Sequence, residues 1–448
     1  MNAIHAAVAR LPGRWARDVR VAIHADGRIT SIEEGAAQRG ATRVACLLPG
    51  MTNLHSHAFQ RALVGLTEVA SAGDDDFWSW REWMYRFMAR LTPDDVEAIA
   101  AQLYVEILRQ GYTSIVEFHY LHNDPQGAPY ANRAEMGERI IAAAQAAGIA
   151  LTLAPVLYTY GGFNRQPLNE QQRRFATSVD DVLAMLDLLN GHKEVRLGIA
   201  PHSLRATEPT QIRELINAAA VNAPFHIHAA EQTREVDDCV AATGRRPLRL
   251  LLDTVGLDAR WCVVHATHLA DDEVRDLAAS GAVAGLCPST EADLGDGVFR
   301  FVDYAAAPGG FGIGGDSHVC RSPFEELRLL EYSQRLTWHK RNLALHAPGV
   351  GIADALWDAA ARGGAQAAAR NAGAIEVGRN ADLISLTISD AAAGGYEPTQ
   401  WLSLVVFGGA HAIIENAWVS GHLMESVNAA SAQSIADRYA RTIRRLLV

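Results

Sequence analysis

The side chains able to do chemistry stand at the ends of short apolar runs. His55-Ser-His57 closes one run and Glu117-Phe-His119-Tyr120 a second. Pro-His202-Ser-Leu-Arg205 ends another, and His226-Ile-His228-Ala-Ala-Glu231 the next. His265-Ala-Thr-His268 and Asp316-Ser317-His318 follow. If these runs are strands, residues i and i+2 share a face, so His55 and His57 can point into one space. An imidazole from the HIH run and a carboxylate beyond the last strand would complete a nitrogen-and-oxygen ligand set. Zn2+ favours such a set and keeps one position open for water when it is catalytic; Fe2+ and Mn2+ are compatible with the same ligand types. A lone His-x-His is weak among 17 histidines. The argument lies in its recurrence at successive strand ends.

Elements of a particular kind must hold these residues. The apolar runs ACLLPGMTNLHSH, YTSIVEFHY, IALTLAPVLY, VRLGIAPHSL, APFHIHAAE, WCVVHATHL, AVAGLCPST and GFGIGGDSH read as buried strands. Amphipathic stretches such as PDDVEAIAAQLYVEILRQG and TSVDDVLAMLDLLNG lie between them, with helix-start and helix-stop signals. Strands alternating with helices predict an α/β protein, a (β/α)8 TIM barrel whose site lies at the C-terminal strand ends. Before the barrel, VRVAIHADGRITSI predicts a hairpin around a D-G turn. After it, AIEVGRNADLISL, WLSLVVFGG and AIIENAWVSGHL read as strands, and SAQSIADRYARTIRRLLV as a final helix. The expected organisation is a small β-sandwich-like domain built from both chain ends (residues 1–48 and 371–448, the latter with the final helix) around a barrel at 49–370.

The net charge of −11 over 448 residues argues against nucleic acid or an anionic membrane as partner. No apolar run is long enough for a membrane helix, and the N-terminus lacks a secretory pattern, so a cytoplasmic location is expected. The five cysteines include no C-x-x-C pair, which disfavours both a disulfide framework and a thiolate metal cluster. Lys193 and Lys340 are the only lysines, and neither lies in a barrel strand. A homodimer is compatible with this reading.

In PGMTNLHSH, HIHAAE, VVHATH and GGDSH the chain resembles the amidohydrolase superfamily, along nearly its whole length. The resemblance implies a single metal held by His55, His57, His228 and Asp316. His228 is taken over His226 because it stands three before Glu231. It implies catalytic roles for Glu231, His265 and Asp316: Glu231 shuttles a proton from water to the substrate nitrogen, His265 orients the attacking oxygen, and Asp316 takes a second proton. Many members bridge two metals with a carboxylated strand lysine. No such lysine is present, which favours one zinc per chain.

TNLHSHAFQRAL, DDFWSWREWMY, VEFHYLH and APHSLRA look most like the branch that hydrolyses N-formimino-L-glutamate to N-formyl-L-glutamate and ammonia, in histidine degradation. That small dicarboxylate needs cationic or neutral donors when buried. The resemblance implies substrate contacts at Gln60, Arg81, Tyr120, His202 and Arg205. The alternative is deamination of a purine or pyrimidine base or nucleoside, which gives no reason for the two arginines. The tryptophans near 74–85 are expected to pack their loop, a candidate lid.

Overall fold

The computed structural model describes residues 2–36, 40–70, 75–344, 349–424 and 430–447. Asp74, in the Trp-rich segment, and Val448, at the end of the expected final helix, lie outside them.

The chain opens with β1 (Asn2–Leu11), β2 (Arg14–Ile23), β3 (Ile29–Glu33) and β4 (Thr42–Pro49). The D-G turn joins β2 to β3 as an antiparallel pair. Eight strand positions follow. They are β5 (Met51–Ser56), β6 (Tyr112–His119), β7 (Ala150–Leu157), the short β8 (Arg196–Leu197) and β9 (Ala200–Pro201) together, β10 (Phe225–Ala229), β11 (Trp261–His265), β12 (Val283–Leu286) and β13 (Gly310–Ile313). All ladders among them are parallel. The bridges Ser203↔His228 and Ser56↔Asp316 join the two arcs and close the barrel. Every residue of β6 and β7 is buried, as strands covered on both faces require.

The last strands, β14 (Leu383–Thr387), β15 (Ile413–Val419) and β16 (His422–Leu423), return to the first ones. Together they form one seven-stranded sheet of order β16-β15-β14-β4-β1-β2-β3. Ile4, Val19, Val21, Leu47, Leu383 and Trp418 pack in its own core cluster. The final helix, Ala430–Leu447, instead lies on the barrel helix Pro93–Leu108, where Arg438 pairs with Glu97 and Arg445 with Asp95.

Two expectations need correction. ACLLPGMTNLHSH is two strands, not one: the chain leaves the end sheet after Pro49 and enters the barrel at Met51. The break falls at Gly50, where a Cβ would come within 2.3 Å of the Thr113 side chain. WLSLVVFGG is a helix, Trp401–Gly408, rather than a strand. A short run apolar on all sides is buried either way. Arg328 settles the matter by binding the carbonyls of Val405 and Val406, and Gly409 closes the helix in a left-handed turn.

Candidate active site

The barrel positions its polar side chains by ending each strand abruptly. Ala230, His265, Ala266, Asp316 and His318 all adopt left-handed backbone. That conformation costs a non-glycine residue about 1–2 kcal/mol, and it clusters where function requires a side chain to be re-aimed. Here it turns Glu231, His265 and Asp316 into the mouth.

Four ring nitrogens and one carboxylate meet there. His55 Nε2 is 3.0 Å from His228 Nε2 and 3.6 Å from Asp316 Oδ1. His57 Nε2 is 3.4 Å from Asp316 Oδ1, and His265 Nε2 is 3.7 Å from Asp316 Oδ2. His57 Nδ1 donates to the Phe118 carbonyl and His228 Nδ1 to the His202 carbonyl, both at 2.9 Å. Those bonds fix the tautomers, so both Nε2 lone pairs face inward. Burial pulls the His57 imidazole down to about 3 and lowers His55 and His228 as well. Neutral lone pairs aimed at a carboxylate oxygen need a cation between them. Donor separations of 3.0–3.6 Å match ligands each about 2.0–2.2 Å from a shared ion. The residues therefore fit a first-row metal.

Glu231 is buried beside this cluster. Its Oε1 lies 3.7 Å from His265 Nε2 and its Oε2 lies 3.6 Å from Arg205 Nη2. Burial works to lower the His265 pKa, yet the Glu231, Glu291 and Asp316 carboxylates raise it to about 10. Its other nitrogen, Nδ1, sits 3.3 Å from Glu291 Oε1, which also accepts from the Cys287 N–H at 2.9 Å. Burial pushes the Asp316 carboxyl up to about 7, opposed by His265.

A cavity of about 570 Å3 opens over these groups and is lined by Gln60, Arg81, Tyr120, His202 and Arg205 among others. Gln60 donates to the Tyr120 hydroxyl at 2.7 Å, and Gln60 Oε1 is left without a partner. The Nε groups of Arg81 and Arg205 are also buried without partners. The Arg81 guanidinium packs 4.5 Å from the Trp78 ring and 5.5 Å from Tyr85. Trp78 also carries Arg234 at 4.6 Å and Arg205 at 5.9 Å. Trp78 thus lines the cavity as well as packing its segment, which is helix Phe77–Met88.

Other residues lie elsewhere. His226 donates to the Ala367 carbonyl and His268 to that of Asp296. Arg61 pairs with Glu106. Ser317 bonds to Thr290. Sequence reasoning missed Arg234, Glu291 and Asp296, a buried acid pushed up to about 9 by burial and by Glu231. Arg234 was within reach: it stands three residues after Glu231. Glu291 carries no local signal.

Residues 46–424 match the amidohydrolase family and residues 1–44 match the formimidoylglutamate deiminase HutF N-terminal domain. The chain is 50% identical over 425 residues to formimidoylglutamate deiminase of Pseudomonas aeruginosa, covering 94% of each. It is 27% identical to 8-oxoguanine deaminase of the same organism, over 88% of this chain and 89% of that one. A crystal structure of an amidohydrolase from Brucella melitensis superposes with a TM-score of 0.92 at 42% identity, covering 100% of both chains. No helix among the described residues is long and apolar enough to cross a membrane.

Proposed function

The chain belongs to the amidohydrolase family, and from that membership we infer that it is a metal-dependent hydrolase that deiminates N-formimino-L-glutamate to N-formyl-L-glutamate and ammonia. One observation carries the substrate: Arg81 and Arg205, whose Nε groups have no hydrogen-bond partner, line the same cavity as the imidazole cluster. Arg81 has no acid paired with it among the described residues and Arg205 has only the long 3.6 Å contact to Glu231, so both keep donors for an anionic ligand. A neutral purine or pyrimidine would leave them unmatched. The 50% identity to formimidoylglutamate deiminase supports the same reading.

We assign His55, His57, His228 and Asp316 as ligands and zinc as the ion, in a cytoplasmic enzyme of histidine catabolism. When bound, the ion supplies Lewis acidity that brings the pKa of a water to about 7. Glu231 accepts a proton from the attacking water and returns it to the formimino nitrogen as the C–O bond forms. His265, held through Nδ1 by Glu291, donates from Nε2 to the oxygen developing on the formimino carbon. Asp316 takes the second water proton and passes it to the same nitrogen. The C–N bond then breaks, and both protons leave on ammonia. Arg81 and Arg205 hold the carboxylates, with Gln60, Tyr120 and His202 as neutral donors. In this reading the end domain (1–48 and 371–448) is scaffold and the barrel (49–370) carries the chemistry, although the final helix packs on the barrel.

Ammonia release should be measured on formiminoglutamate, guanine and cytosine. Activity on formiminoglutamate alone is expected; activity on a base with none on formiminoglutamate would reject the assignment. Arg205→Ala should lose about 2–5 kcal/mol of transition-state binding, roughly 30- to 5000-fold in kcat/KM.

A further inference from the structure

The assigned ligands come from separate segments, and two of these meet where the barrel closes. Asp316 N–H donates to the His55 carbonyl at 3.0 Å, and His57 N–H donates to the Asp316 carbonyl at 3.1 Å. Ser56 alternates with its histidine neighbours and so faces the layer between barrel and helices. There Glu117 Oε2 accepts from Ser56 Oγ at 2.6 Å and from the Tyr104 hydroxyl at 3.1 Å. Glu117 Oε1 accepts from the Ala58 N–H at 2.7 Å. Ser56 Oγ is also 2.8 Å from His318 Nε2. The serine proton is committed to Glu117, so His318 Nε2 must be the donor in that contact. All of these side chains are buried.

We propose that Glu117 is a positioning residue for the metal: by gripping Ser56 and Ala58 on either side of His57, and His318 through Ser56, it sets the spacing of the two ligand segments. The inference rests on the metal reading above. Three donors converge on Glu117. A carboxylate, which only accepts, satisfies them all, whereas an amide turns a donor toward at least one. A residue needed only to fill this layer would have no use for that pattern. Groups that orient ligands from behind typically change metal affinity about 10- to 100-fold when altered.

The full chain, stripped by chelation, is titrated with zinc against a competing chromogenic chelator. Glu117→Gln should weaken the zinc Kd by about 10- to 100-fold, while excess zinc restores kcat and the melting temperature of the metal-free protein stays near that of wild type. Ser56→Ala, which cuts the link to His318, should weaken zinc in the same direction. A Kd within about twofold of wild type would overturn the proposal, and Ser56→Ala alone decides it if Glu117→Gln does not fold. Failure of the wild-type chain to bind zinc would overturn the metal reading, and this inference with it.

Discussion

At the scale of single residues, each buried charge has a task that substitution can expose. Glu231→Gln keeps shape and removes the proton acceptor. It should lower kcat by about 10²–10⁴ with little change in KM; full turnover at saturating zinc would contradict the proton-transfer role. Glu326 offers a test away from the chemistry. It is buried and accepts from the Ser289 N–H and hydroxyl, and burial raises its carboxyl from 4.5 to about 8. Between those values the native state holds a proton that the unfolded chain has released. Its contribution to stability is therefore complete below about pH 4.5 and lost as pH rises through about 8. Glu326→Gln should flatten the fall in stability across that window, read by urea unfolding at several pH values. Residues such as His55, His57 and Glu231 were legible because a motif sets their spacing within one strand end. Glu291 was not, because its role comes from touching His265 from the next strand position, 26 residues on.

At the scale of elements, apolar runs were legible and their conformation was not always so. Helix Pro93–Leu108 announces itself by Pro93 at its first turn and by Thr92 and Asp95, whose side chains form a capping box. Trp401–Gly408 misleads because its local pattern has no period and Arg328, 73 or more positions earlier in sequence, supplies the decisive contact. Helix Ile352–Ala367 packs on β5 and β13 through its glycines. A Cβ at Gly363 would come 1.8 Å from the Phe311 carbonyl oxygen. Alanine favours a helix over glycine by about 1 kcal/mol, yet here the obstruction is backbone and overpacking costs about 1–3 kcal/mol or more. Gly363→Ala should thus lower the urea midpoint, the reverse of what helix propensity alone predicts.

At the scale of the whole molecule, the proposed metal should couple to the fold. The neutral imidazoles and Asp316 lie unshielded against one another without a cation. Chelation should lower the melting temperature in calorimetry, and added zinc should restore it. An ion at about 1,000 times its Kd contributes about 4.1 kcal/mol. An unchanged melting temperature would separate the cluster from stability. The eight-strand periodicity made the barrel readable. The end sheet was readable only as a pairing of distant segments, since hairpin signals such as the D-G turn fix β2 with β3 but say nothing of β4 with β14.

That last pairing has a consequence in time. β4 ends at Pro49 and its neighbour β14 begins at Leu383. A ribosome adding about 5–20 residues per second takes roughly 20–70 s to make the intervening stretch. Throughout that interval β4 waits with one edge open, and a strand made early is among the last to be sealed.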